Sequence, residues 1–351
     1  MKKFLDRIFI DGLSGMAQGL FATLIIGTVI QQIGTFAGGN TGDMIYVLGK
    51  VAAGMTGAGI GVGVARKLDA GHLVIVSAGV VGMIGAFAGK LLAGEVLIDG
   101  NLVLSGPGEP LGAFVAAYVA IELGILLSGK TKLDIILTPL VCIGTGSAVG
   151  LFVGPSISGF MAWLGSLINW GTEQQPFLMG IVVSVLMGMI LTLPISSAAL
   201  GVILNLSGLA AGAATVGCCC NMIGFAVASW RENKLGGFLA QGIGTSMLQV
   251  PNIVRHPLIW LPAILSSAIL GPVGTMLFHM TNNATGSGMG TAGLVGSLMT
   301  WQVMVQTESG MVVLVKIILI QFVLPAVVTL LISEFMRKKK WIRYGDMKLE
   351  L

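Results

Sequence analysis

Residues 279–295 read HMTNNATGSGMGTAGLV. Apolar runs at 258–278 and 294–305 flank this stretch, and a further run follows at 311–332. Glycine inside a helix costs about 1 kcal/mol against alanine, so GSGMG predicts a broken helix or a re-entrant hairpin rather than a continuous span. The run 294–305 agrees with this, because crossing a bilayer core takes roughly 20 helical residues. Irregular chain at membrane depth persists only where it is buried in protein or lines a watery cavity, since each unpaired backbone group costs several kcal/mol in hydrocarbon. The alternative is an exterior loop rich in turn formers. We favour chain folded back inside the membrane, with its amides and hydroxyls turned toward a polar chamber.

Composition sets the class. The chain has 351 residues, of which 55% are hydrophobic and only 10% charged, and its mean hydropathy is +0.94. A water-soluble surface needs far more charge. The 53 glycines follow no three-residue period, which excludes collagen and suits membrane helices that approach closely. The expected fold is all-α: a polytopic integral membrane protein with about ten transmembrane helices and one or two re-entrant or broken segments. Other apolar runs lie at 13–33, 44–65, 72–92, 111–127, 135–153, 157–168, 177–193, 195–216 and 235–250. The polar stretch at 95–110 reads as a small hairpin or extended loop. The basic start resembles a signal peptide, but the run 13–33 has membrane length and reads as a retained first helix. The expected organisation is one embedded domain, 1–340, and a short polar cytoplasmic tail, 341–351.

The net charge of +4 comes from short basic clusters between apolar runs, the pattern of cytoplasmic loops rather than of a nucleic-acid surface. Lys2, Lys3 and Arg7 place the N-terminus in the cytoplasm, and Arg337 to Lys340 do the same for the C-terminus. Arg66/Lys67, Lys130/Lys132 and Arg231/Lys234 mark inner loops. Cys142 and the run Cys218–Cys219–Cys220 have no paired metal-site spacing. Adjacent helical residues point about 100° apart, so the run reads as small packing residues, and no cofactor or metal is expected.

Three polar segments are candidates for solute contact. The first is the opening stretch, with His279, Asn282, Asn283, Thr285, Ser287 and Thr291, followed by Trp301, Gln302, Gln306 and Glu308. Amides, hydroxyls, a carboxylate and an aromatic ring suit a polyhydroxylated ligand such as a sugar. On this reading, leucine at 282 and 283 abolishes recognition and spares the fold. The second is LPISSAAL, 193–200, where Pro194 before Ser196 and Ser197 reads as a break and an N-cap. A Pro-kinked packing helix is the other reading. The third is QGIGTSMLQVPN, 241–252, with Gln249 and Asn252 on apolar surroundings, either facing a cavity or bonding between helices. Asn221, beside the cysteine run, is a further candidate. Glu122 lies inside a run and is either functional or paired with Lys130 or Lys132. Lys50, Lys90 and Lys316 lie near run ends and can snorkel.

NNATGSGMGTAGLVG (282–296), SSAALGVILNLSGLAAGAATVGCCCNMIGFAVASWREN (196–233), LAQGIGTSMLQVPNI (239–253) and FIDGLSGMAQGLFATLIIGT (9–28) resemble the enzyme IIC-like membrane proteins of the phosphotransferase system, in the branch that includes the toxin regulator PfoR. The resemblance covers nearly the whole chain. It implies a homodimeric sugar translocator of the bacterial inner membrane that holds its sugar at membrane depth, often with re-entrant hairpins around it. A separate IIB protein, charged by IIA, would phosphorylate that sugar. The Gly-Ile-Thr-Glu-Pro motif of glucose-type relatives is absent. Thr307-Glu308-Ser309 is the nearest text and lacks the proline. The chain has no phosphoryl-accepting residue of its own, so any enzymatic role would be as the permease part of a sugar phosphotransferase. Two other readings stay open: a membrane regulator keeping this fold, and a transporter of another polar solute coupled to an ion or proton through Glu122 or Glu308.

Overall fold

A computed structural model describes residues 6–98, 100–104 and 106–349. Lys2 and Lys3, used above for topology, lie outside these residues. The chain divides into two compact units, Met1–Met161 and Ala162–Leu351.

The first unit opens with α1 (Arg7–Ala37), a 31-residue helix interrupted by π-turns at Arg7–Gly12 and Phe21–Ile25. Next come α2 (Gly39–Gly54) and α3 (Thr56–Lys67), bent 50° apart at Met55, so the run 44–65 is broken. α4 (His72–Ala86) and α5 (Ala88–Leu92) lead to the expected small hairpin. In it, β1 (Leu97–Ile98) pairs antiparallel with β2 (Asn101–Leu102), Leu97 opposite Leu102. α6 (Pro110–Leu127) starts where sequence chemistry puts it: Pro110 needs no N–H partner in the first turn, and the Glu109 carboxylate accepts from Leu111 N at 3.4 Å. Glu122 on α6 pairs with Arg7 at 2.6 Å rather than with Lys130 or Lys132. α7 (Asp134–Thr172) runs for 39 residues with Pro139 and Pro155 inside it. The runs 135–153 and 157–168, read as separate because of Gly154-Pro155, are therefore one helix, because neighbours at membrane depth re-satisfy the groups a proline frees. The boundary between the units falls within α7.

The second unit contains α8 (Pro176–Thr192), α9 (Ser197–Ile203), α10 (Gly208–Ala228) and α11 (Trp230–Leu239). α12 (Val250–Arg255), α13 (Pro257–Leu277), α14 (Ala284–Ser287), α15 (Val295–Met304) and α16 (Gly310–Lys338) complete it. α10 is its axis. Of all the spans it is the most enclosed, with Ala213, Ala214, Val216, Cys218, Cys219, Cys220 and Met222 wholly buried. Small side chains allow this: a Cβ added at Gly217 would overlap the carbonyl oxygen of Ser184 on α8, and one at Gly188 would meet Gly217 O at 2.5 Å. The run 235–250 is no span. α11 kinks at Lys234 (φ 51°) and gives way to a π-turn at Ala240–Gly244 and a 3₁₀ turn at Ser246–Gln249.

Among the described residues, six helices are long and apolar enough to cross a bilayer: α1, α6, α7, α10, α13 and α16. The α2–α3 pair makes a seventh if counted as one span, and α4 and α8 are apolar but shorter. The tail after α16 is packed rather than loose. Ile342 and Met347 are buried in an apolar cluster with Phe225, Ile253, Ile259 and Met336. Beside it, Arg337 Nη2 meets Glu232 Oε1 at 2.9 Å with both side chains almost fully enclosed.

Candidate functional site

Two interrupted segments, far apart in sequence, meet in the second unit. α9 has seven residues and α14 four, so at about 1.5 Å per residue neither approaches the thickness of a bilayer. They run antiparallel: Ser197 Oγ, at the start of α9, donates to Gly288 O, just past the end of α14, at 2.6 Å. The contact leaves no room for side chains on the facing glycines. A Cβ on Gly288 would overlap Ser197 O, and one on Gly201 would overlap Ser287 Oγ. Beyond α9 the chain pairs again, Asn282 N donating to Gly208 O at 3.2 Å. The second and first candidate segments are thus one constellation.

The loop 279–294 is tied down from within. Asn282, 1% exposed, donates from Nδ2 toward Thr215 Oγ1 (2.7 Å), Gly296 O (3.0 Å) and Thr300 Oγ1 (3.0 Å), and its Oδ1 accepts from Asn283 N (2.8 Å). Gln321 of α16 donates to Thr300 Oγ1 at 2.9 Å, and its own Oε1 is buried without a protein partner. Asn283 caps α14 by accepting from Gly286 N at 2.9 Å. Ser287 Oγ donates to Ala284 O, and Thr291 Oγ1 donates to Gly242 O. Two non-glycine residues with positive φ bracket the loop, His279 (46°) and Leu294 (62°). Side-chain residues rarely adopt this conformation, and it is held only where surrounding packing imposes it.

The candidates divide by accessibility. Asn282, Ser287, Thr291 and Ser197 are buried and engaged inside the protein, and Ser196 is buried beside them. Asn283 is half-buried, while Thr285 and His279 are exposed. Glu308 is removed from this constellation by its own ion pair, 2.7 Å to Lys316 Nζ. Asn221 forms a separate hub. Its Oδ1 accepts from Trp260 Nε1 (2.9 Å) and Thr192 Oγ1 (3.1 Å), and its Nδ2 donates toward Gly217 O and Ser267 Oγ. Gln249 and Asn252 belong to a third group, with Gln241, and turn toward residues 347–348 rather than toward the loop. The candidates thus form three networks: that of Asn221 stands apart from the loop, and that of Gln241, Gln249 and Asn252 reaches it only through Gly242 O, which accepts from Thr291 Oγ1.

Sequence reading passed over Thr215, Thr300 and Gln321. Gln321 did carry a signal, being an amide in the middle of the run 311–332, where polar groups face protein or water rather than lipid. Thr215 and Thr300 carried none, because threonine in a membrane helix is ordinary.

A search of curated proteins finds no significant match. The sequence model of the phosphotransferase system EIIC family matches residues 10–349, nearly the whole chain. This chain is a multi-pass membrane protein belonging to the phosphotransferase system EIIC family.

Proposed function

We propose that the chain is the sugar-translocating subunit of a bacterial phosphoenolpyruvate-dependent phosphotransferase system, holding its sugar against the loop 279–294 for phosphorylation by a separate IIB protein. One observation carries this reading: the antiparallel meeting of α9 and α14, which shelters irregular backbone inside protein and leaves polar side chains at its edge. Asn282, Thr291, Ser287 and Ser197 form the frame. Asn283, Thr285 and His279 supply groups with capacity left for a hydroxylated ligand. Family membership supports a homodimer in the inner membrane, and the basic clusters support cytoplasmic termini.

Thermal unfolding of the purified protein against a panel of sugars and other polar metabolites tests the proposal. A sugar at a hundred times its Kd is expected to add about 2.7 kcal/mol. Thr285→Val and His279→Ala are each expected to weaken the sugar's Kd about fivefold, the loss of one hydrogen bond, which cuts the stabilisation at the same sugar concentration to about 1.8 kcal/mol, without moving the melting temperature of the unliganded protein. Stabilisation by another solute class and by no sugar would overturn the assignment.

A further inference from the structure

The polar groups of Asn233, Gln249 and Asn252 converge on main chain, not on side chains. Asn233 Nδ2 donates to Met347 O at 2.8 Å, and its Oδ1 accepts from Leu349 N at 2.8 Å. A carboxamide making both bonds clamps the main chain as it leaves the turn that Lys348 N closes by donating to Gly345 O at 3.1 Å. Gln249 Nε2 also donates to Met347 O (3.0 Å), and Asn252 Nδ2 donates to Lys348 O (2.9 Å). Of this segment only the Met347 side chain is wholly buried, in the apolar cluster with Phe225, Ile253 and Met336. Lys348 and Tyr344 point outward. Main-chain bonds for affinity and one apolar pocket for selection are the features of a peptide-binding cradle.

The cradle is connected to the loop. The second hydrogen of Gln249 Nε2 goes to Gln241 Oε1 at 2.8 Å, and Gln249 Oε1 accepts from Asn252 at 2.8 Å. Gln241 Nε2 is fixed on Ser229 Oγ and Gly237 O, each at 2.9 Å. Gln241 lies in the π-turn Ala240–Gly244, and the next residue, Gly242, receives the Thr291 hydroxyl. An unbroken path therefore runs from Met347 O through Gln249, Gln241 and the π-turn to Thr291 in the loop. Gln241 and Gln249 are wholly buried, so neither can lose a partner without finding another. Such a π-turn inside a helical segment is a natural joint for that adjustment.

We infer that Asn233, Gln249 and Asn252 form a binding site for a short peptide held by its main chain, that residues 345–349, with their turn at Gly345–Lys348, occupy it in cis, and that its occupancy sets the order of the loop 279–294. The ligand class is a short turn-forming peptide with one unbranched apolar side chain, and a partner presenting such a turn would compete for the site. That this regulates solute traffic rests on the loop being the solute site. The coupling itself does not.

Hydrogen exchange of the full chain in lipid nanodiscs, read by mass spectrometry without any solute, tests the inference. Asn233→Ala weakens the tail's hold at a half-buried position off the path. It is expected to speed exchange at 344–349 about tenfold and to raise exchange at 284–294 as well. Met347→Ala, which removes the anchor and no amide, is expected to do the same. In either background Thr291→Val is expected to make loop exchange independent of the tail. Excess synthetic IRYGDMKLEL is expected to restore protection in Met347→Ala. Faster exchange confined to 344–349, or a peptide without effect, would overturn the inference. Failure of sugars to stabilise the protein would leave the exchange result standing and sink only the functional reading.

Discussion

Asn282→Leu is expected to lower the stability of the protein by roughly 2–4 kcal/mol, whatever it does to ligand binding. The change removes the donor to Thr215, Gly296 and Thr300 and the acceptor for Asn283 N, all in an enclosed site. A buried group left unpaired costs about 1–3 kcal/mol. Partial rescue limits the sum, since Thr300 keeps Gln321 and Thr215 keeps Ala211 O. Melting followed by tryptophan fluorescence in detergent checks this, with Thr285→Val as the exposed comparison. A wild-type melting temperature in Asn282→Leu would show that the loop does not depend on this hub. Read from sequence, both asparagines of the pair were interchangeable ligand contacts. Burial separates them: Asn282 holds the loop together, and Asn283 caps α14 with part of its surface accessible.

Gly217→Val should have the larger effect, about 4–5 kcal/mol or failure of the protein to accumulate. The added Cβ falls on the Ser184 carbonyl, and backbone on both sides leaves no flexible side chain to give way. Overpacking ordinarily costs about 1–3 kcal/mol. Here separating α8 from α10 also strains the bond from Thr192 Oγ1 to Asn221, and a shift of α8 disturbs its bond to α13, from Ser184 Oγ to Ser267 O, which moves it into the exceptional range. Gly144→Val, on the surface of α7 where a Cβ meets nothing within 4 Å, should stay within about 0.5 kcal/mol. Equal yields and melting temperatures for the two variants would show that α8 and α10 can part at little cost.

The membrane class, the helical content and the small hairpin were legible in the sequence. So were the breaks at 193–200 and 279–294. Each follows from composition within one short window: hydropathy over a span, glycine and proline at an interruption. Merging of the runs 135–153 and 157–168 was not legible, because Gly154-Pro155 reads the same whether a helix ends or continues there. Lys316 as the partner of Glu308, and Arg7 as that of Glu122, were not legible either.

From its sequence alone this chain could be assigned to the bilayer, with its polar interruptions placed along it, since partition into hydrocarbon is governed by local, nearly additive transfer energies. Tertiary structure alone decided what each polar group does. Asn282 meets Thr215 across 67 residues, Ser197 meets Gly288 across 91, and Asn233 meets Met347 across 114. A buried amide must be satisfied by whatever packing brings to it, and that partner is a property of the folded chain, not of the residues beside it.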